Sequence, residues 1–357
     1  MRIKDTPQDF VVEEITSSGE VLEVGKEYPF SGGDGENLVF VLEKTNWGTM
    51  GAMKELGKRL HCSEKRLGFA GTKDRRAVTA QRCSAWNVKK EELDKISIKD
   101  IALKPLHYGE RVGLGDLQGN RFTITVRDFS GKGKMPDKIP NSFGPQRFGG
   151  QRQITHLVGK AIVNGQFHDA VDTYLFGTMD GDPNQEVREK CKGDYALAIK
   201  EFPMHLTYER SILGHLAKSS SDYVGALRAL PRKLLVMFVH AYQSELFNKV
   251  LNKRGLEKMD GDLLEGGVPT GPLFGTNCPL ASGEAGEIER GVLESEWLEL
   301  KDFEVHGMPD LTSEGMRRKL WVEVTDFEVL EKGSDWIKVR FSLPKGSYAT
   351  TALDYLE

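Results

Sequence analysis

Arg121-Phe122-Thr123-Ile124-Thr125-Val126-Arg127 alternates polar and apolar residues without a break. Side chains of a strand point to opposite faces with a period of two, so Phe122, Ile124 and Val126 share one face of a half-covered sheet. Upstream, strand texture is found in Asp9-Phe10-Val11-Val12-Glu13-Glu14-Ile15, in the continuous apolar run Leu38-Val39-Phe40-Val41-Leu42, and in part over residues 78–88. One helix interrupts them, where Met50, Met53, Leu56 and Leu60 recur at helical spacing. Beyond residue 150 the spacing becomes that of helices, over residues 154–163, 185–199, 223–229 and 231–254. In the last of these Leu235, Phe238, Tyr242, Leu246 and Val250 mark a core face, Pro231 suits the first turn and Gly255 stops it. Gly- and Pro-rich turns are expected over 266–279. Strands return in Leu320-Trp321-Val322-Glu323-Val324 and Trp336-Ile337-Lys338-Val339-Arg340-Phe341, read as a hairpin joined across residues 331–335. Strands, then helices, then strands predict an α/β insertion inside a sheet domain.

The 357 residues leave room for two domains, and 39% hydrophobic with 29% charged residues belongs to an ordinary soluble protein. Cys62, Cys83, Cys191 and Cys278 lie far apart, with no C-x-x-C pair and no His cluster at zinc spacing, which predicts a reducing compartment and no metal. Neither an N-terminal signal stretch nor about 18 uninterrupted apolar residues occurs, so a cytoplasmic protein with no membrane partner is expected. The net charge of −4 conceals an uneven distribution. Residues 58–90 hold ten Lys or Arg against two acids, whereas residues 284–314 hold ten acids against two bases. A basic face of that kind attracts phosphates, although two merely solvated surfaces would read the same way.

One of the two acids in the basic stretch is Asp74, within Gly68-Phe69-Ala70-Gly71-Thr72-Lys73-Asp74-Arg75-Arg76-Ala77-Val78-Thr79-Ala80-Gln81. Nearby cations favour the ionised form of a carboxylate, and the same cations draw in a nucleic-acid backbone. Asp74 is therefore the candidate reactive group. Asn141-Ser142-Phe143-Gly144-Pro145-Gln146-Arg147-Phe148-Gly149-Gly150-Gln151-Arg152 interleaves aromatics, Arg and amides with no acid. Aromatic faces stack on unpaired bases, Arg pairs with phosphate and amides read base edges; a loop that packs its two Phe into the core is the bland alternative. In the tail Leu343-Pro344-Lys345-Gly346-Ser347-Tyr348-Ala349-Thr350-Thr351-Ala352-Leu353, a turn leads to a helix whose first amides would face the loop, or simply to a capped C-terminal helix. Lys4 precedes Asp5-Thr6-Pro7-Gln8-Asp9-Phe10, where a surface lysine is the default reading. No G-x-x-x-x-G-K-[ST] loop and no G-x-S-x-G occurs, and Gly113-Leu114-Gly115-Asp116-Leu117-Gln118-Gly119 leads into a strand rather than the helix a dinucleotide fingerprint needs.

Taken together, these strings resemble the TruD family of tRNA pseudouridine synthases. The family's Lys followed by Pro-x-Asp-Phe-x-Val-x-Glu is similar to Lys4 through Glu14, with Gln8 where Glu is common. Its Gly-x-Lys-Asp followed by Ala-Val-Thr-x-Gln matches Gly71 through Gln81, and Asn-x-Phe-Gly-x-Gln-Arg-Phe-Gly is Asn141 through Gly149. Leu117-Gln118-Gly119-Asn120-Arg121-Phe122 and Pro344 through Thr350 complete the set, with Tyr348 replacing a frequent Phe. The resemblance implies an α+β chain, with a pseudouridine synthase fold (a mixed, mainly antiparallel sheet with flanking helices) over 1–155 and 318–357, an inserted α/β TRUD domain over 156–317, tRNA as partner and no cofactor. It places the family's nucleophile on Asp74 and implies substrate contacts from Lys4, Phe10, Lys73, Arg75, Asn141, Phe143, Arg147 and Tyr348. Lys73, Arg75 and Lys4 would hold the carboxylate, Phe143 would stack on a flipped uridine, and Asn141 would hydrogen-bond the base or its neighbour. A non-catalytic RNA-binding or RNA-folding module would use the same basic face with Asp74 structural. A nucleoside glycosidase would need a second carboxylate about 5–10 Å from the first, and no partner suggests itself.

Overall fold

In the computed structural model, which describes residues 1–357, the alternating stretch around Ile124 lies in the longest strand of an eight-stranded sheet. In chain order the first elements are β1 (Phe10–Thr16), β2 (Asn37–Thr45), α1 (Thr49–Arg59), β3 (Leu67–Phe69), β4 (Val78–Trp86), α2 (Lys90–Asp94), β5 (Ile101–Gly109) and β6 (Leu117–Arg127). After β7 (Lys138–Pro140) come seven helices: α3 (Thr155–Val163), α4 (Phe167–Phe176), α5 (Gln185–Lys190), α6 (Tyr195–Glu201), α7 (Thr207–Leu216), α8 (Tyr223–Arg228) and α9 (Arg232–Arg254). The chain continues through β8 (Leu264–Glu265), β9 (Val268–Leu273), α10 (Gly283–Ser295), β10 (Met316–Lys319), β11 (Trp321–Glu323), β12 (Thr325–Lys332), β13 (Trp336–Pro344) and α11 (Ala349–Leu353). Two units result, one of residues 1–139 with 322–357 and one of residues 140–321.

The sheet of the first unit runs β12-β13-β6-β1-β4-β2-β5, with β3 also on β4. Phe122, Ile124 and Val126 sit directly across from Phe341, Val339 and Ile337, all six at most 5% exposed. The two alternating stretches are thus neighbours in space, and Phe10, Val12, Ala352 and Leu353 complete that core. A second core joins Leu38, Phe40 and Leu42 of β2 to Met53 and Leu56 of α1 and Cys83 of β4. Every named strand pair is antiparallel except one: β1 and β4 run parallel, with Val11 opposite Val78. Parallel neighbours bring their N-terminal ends to the same edge of a sheet. The residues preceding Phe10 and those preceding Val78 therefore meet at one end.

Within the second unit α9 carries Leu235, Phe238, Tyr242, Leu246 and Val250, each at most 2% exposed, and it begins after Pro231 and stops at Gly255 as the sequence predicts. Gly255 takes a φ of 70°, open to glycine at little cost. Helices α3 to α8, α10 and an antiparallel sheet β10-β9-β8 belong to the same unit, which is therefore α+β rather than α/β. Three further expectations are corrected. The hairpin partner of β13 is β12, while Trp321-Val322-Glu323 pairs with β7. The helix expected over 185–199 is two, because Gly193 turns the chain at a φ of 77° and Asp194 caps a fresh start by accepting from Leu197 N. The turns expected over 266–279 contain β9, whose Pro269 and Pro272 hide its pairing with β10.

The unit boundary falls at 139/140, earlier than the expected 155. Its cause is local: Asn141 N donates to Leu320 O, and Asn248 on α9 both donates to Phe143 O and accepts from Phe143 N. The whole string Asn141 to Gly149 belongs to the second unit.

Candidate active site

Asp74 lies in the loop before β4, and its side chain is about one-third exposed. Its partner is Lys4, seventy residues away in sequence, whose Nζ stands 2.7 Å from Asp74 Oδ1. The parallel pairing of β1 with β4 brings the two segments to one end of the sheet, since each residue lies a few positions ahead of its strand. The same ammonium sits 3.9 Å from the centroid of the Phe10 ring, an attractive cation–π arrangement.

Lys4 has a φ of 63°, a left-handed conformation that costs a residue with a Cβ on the order of 1–3 kcal/mol. Its neighbours impose it. Arg2 and Arg127 exchange both backbone hydrogen bonds, and Arg76 Nη2 donates to Asp5 O at 2.8 Å. Asp9, buried at the start of β1, accepts from Thr6 N at 2.8 Å and from Arg127 Nη2 at 2.7 Å. Burial alone would raise the Asp9 carboxyl, but those two donors outweigh it and hold it below its ordinary value.

Beneath Asp74 the loop is fixed by side chains from three elements. Gln81 of β4 donates to Gly71 O at 2.9 Å and accepts from Thr49 Oγ1 of α1, which in turn accepts from Lys73 N at 2.9 Å. Lys44 of β2 donates to Asp74 O at 3.0 Å and to Trp47 O at 2.6 Å. Burial pushes the Lys44 ammonium down to about 8, with the Asp74 charge working against that shift and the Lys73 charge adding to it.

Lys73 does not face Asp74. Its Nζ reaches Glu14 Oε2 at 2.7 Å, with both side chains at most 3% exposed, and the other Glu14 oxygen accepts from Arg82 N. A buried ammonium and carboxylate find each other because neither can be left alone in the core. The expectation that Lys73 holds the Asp74 carboxylate is therefore corrected to a structural ion pair. Phe10 is corrected likewise: at 1% exposure, with its ring edge-on to Phe122 at 6.2 Å, it offers no face to a substrate and supports Lys4 instead. Arg75 is exposed and its guanidinium makes no hydrogen bond or ion pair within the chain. Tyr348 lines a cavity of about 510 Å³ together with Gly71, Thr72 and Lys73 of the Asp74 loop, Leu117 and Asn120 of β6, and Lys345. The helix after it, α11, is only five residues long, so few peptide dipoles add up at its start.

In the second unit the expected base-reading groups are already engaged. Asn141 Nδ2 donates to Lys319 O at 2.9 Å and its Oδ1 accepts from Arg318 Nη2. The Phe143 ring meets Phe247 edge-on at 5.7 Å, and the Arg318 guanidinium lies 4.2 Å from its centroid. Arg147 donates from Nε to Ser244 Oγ at 2.9 Å and from Nη2 to His240 O at 3.3 Å. Open edges and an open aromatic face were expected here; the structure instead has a loop bolted to α9 and β10. Sequence reading placed Glu14 and Gln81 within motifs without giving them a role, and it missed Lys44 and Thr49. Glu14 and Lys44 each carried a signal, a charge at the strand position that continues an apolar face, that of Phe10 and Val12 for the one and that of Leu38, Phe40 and Leu42 for the other.

A family model described as tRNA pseudouridine synthase D (TruD) matches residues 1–268 and 264–354. A relative from Methanopyrus kandleri, named probable tRNA pseudouridine synthase D, is 39% identical over 361 residues, covering 95% of this chain and 90% of its own length. Another, from Methanocaldococcus jannaschii and named probable tRNA pseudouridine synthase D 1, is 39% identical over 372 residues, covering 98% and 94%. Among solved structures, a putative tRNA pseudouridine synthase D (TruD) from Methanosarcina mazei matches with a TM-score of 0.78 at 34% identity, over 99% of this chain and 93% of that one. No helix here is long and apolar enough to cross a membrane.

Proposed function

Since the chain belongs to the TruD family of tRNA pseudouridine synthases, we propose that it isomerises a uridine of tRNA to pseudouridine, with Asp74 as the nucleophile. The uridine proposed is that of the D-arm, at position thirteen, which membership of this family implies. The observation that carries this reading is the Asp74 carboxylate itself, partly open to solvent, paired with Lys4 at 2.7 Å and mounted on a loop tied down at Gly71, Lys73 and Asp74.

The reaction breaks the N1–C1′ bond, turns the uracil and joins C5 to C1′, with the C5 proton released to solvent and one returned to N1. A carboxylate at C1′ splits that exchange into two easier steps. Residues Gly71 to Lys73 and Tyr348 line the cavity of about 510 Å³ beside the loop, a size ordinary for a site that encloses a small ligand. A uridine must leave its stack to enter such a pocket, at a cost of a few kcal/mol that stacking on a ring in the site offsets. Tyr348, on the cavity wall, is the aromatic of the first unit assigned to that role. Arg75, exposed and unpaired next to Asp74, is assigned to the RNA backbone.

Tritium release from C5-labelled uridine in tRNA tests the assignment. Asp74→Asn should release no tritium while binding tRNA within a few-fold of the unaltered protein. Continued release by that variant removes the nucleophile assignment, and free uracil as product would favour a glycosidase.

A further inference from the structure

Lys44 occupies a position where a strand ordinarily carries an apolar side chain. It continues the face of β2 that Leu38, Phe40 and Leu42 turn to the core, and it is 1% exposed. Lysine is almost never fully buried without a counter-charge, and this one forms no ion pair. Its hydrogen bonds go instead to two main-chain carbonyls, Trp47 O at 2.6 Å and Asp74 O at 3.0 Å. The charged or titratable groups that act on it are Asp74 and Lys73 of the loop and Cys83 of β4.

The rest of the loop does not need Lys44. Gly71 O is held by Gln81, Lys73 N by Thr49, and Asn46 N donates to Ala77 O on the far side. Asp74 O has no donor other than Lys44. A methionine of similar length would fill the strand position without the cost of burying an ammonium. A residue that is costly where it sits, and that gives one of its two hydrogen bonds to the peptide of the reactive group, is better explained by function than by folding.

We infer that Lys44 is a positioning residue, whose ammonium fixes the peptide of Asp74 from below while Lys4 meets the carboxylate from above. The inference rests on Asp74 being the nucleophile. A carboxylate must be held near its line of attack, and a misplacement of about 1 Å can cost on the order of a hundred-fold in rate. Lys44 touches no substrate, so its loss should appear in kcat and leave the KM for tRNA nearly unchanged.

The experiment measures steady-state tritium release and thermal unfolding for the unaltered protein, Lys44→Met, Lys44→Gln and Asp74→Asn side by side. Expected is a fall in kcat of about ten- to a hundred-fold for both Lys44 variants, with KM within about two-fold and unfolding midpoints no lower than a few degrees below the original. Folded Lys44 variants that turn over at the original rate overturn the inference, and activity in Asp74→Asn overturns the nucleophile reading separately. Should neither Lys44 variant fold, the unaltered protein decides: kcat falling through about pH 8 as the buried ammonium loses its proton supports the inference, and a flat kcat from about pH 7 to about 9.5 overturns it.

Discussion

The burial of Lys44 has a consequence for stability that can be worked out and measured. Its ammonium is pushed from an ordinary 10.5 down to about 8 by burial. Below about pH 8 folded and unfolded chains both carry that proton, and the folded state bears the full penalty of holding it in the core. Between about 8 and 10.5 the folded state has released the proton and the unfolded state has not, so stability rises with pH by about 1.4 kcal/mol for each pH unit. The total gain is about 3 kcal/mol, complete when the unfolded chain also loses its proton. Urea unfolding at steps from pH 7 to pH 10, with Lys44→Met as reference, isolates this contribution because other alkaline titrations are shared. The stability difference between the two proteins should be constant below about pH 7.5 and then shift in favour of the unaltered protein, reaching about 2 kcal/mol by pH 9.5. Parallel curves would refute the reasoning, since they would mean that the Lys44 ammonium titrates alike in both states.

Two further outcomes follow from the neighbouring groups. Glu14→Gln should destabilise the fold by about 3–5 kcal/mol, because it strands the Lys73 ammonium in the core; denaturant midpoints check this, and adding Lys73→Met should restore most of the loss. Arg75→Ala should leave unfolding unchanged, weaken tRNA binding a few-fold and lower the salt dependence of binding by about one phosphate contact, read from Kd at several salt concentrations.

Much of the fold is legible because burial follows local periodicity. Phe122, Ile124 and Val126 alternate for the same reason that Ile337, Val339 and Phe341 do, and the two triads prove to be opposite each other. Helix α9 is legible because its apolar steps are framed by Pro231 and Gly255. What fails is whatever depends on distant partners. Residues 141–149 have no period, and only their hydrogen bonds to Asn248, Ser244 and β10 decide which unit owns them. Lys73 looks like the companion of Asp74 because it is adjacent in sequence, yet the buried carboxylate of Glu14 takes Lys73 into the core and leaves Asp74 to a lysine seventy positions away. The meeting of Lys4 with Asp74 comes from a parallel strand pair, which no local pattern announces.

Three lysines therefore surround one loop under different constraints. Lys73 is neutralised by a buried carboxylate and serves the fold. Lys4 accepts a left-handed backbone to reach the Asp74 carboxylate, and Lys44 accepts burial without a counter-charge to reach the Asp74 carbonyl. Each of the last two carries a local cost of a kcal/mol or more, and neither cost is needed to close the sheet or fill its cores, which apolar triads already do. Strain of unrelated origin, one part backbone and one part electrostatic, converges on a single residue. Hydrogen bonds of the neighbouring backbone account for the first, so it is the burial of Lys44, which nothing in the fold requires, that argues for a role at Asp74.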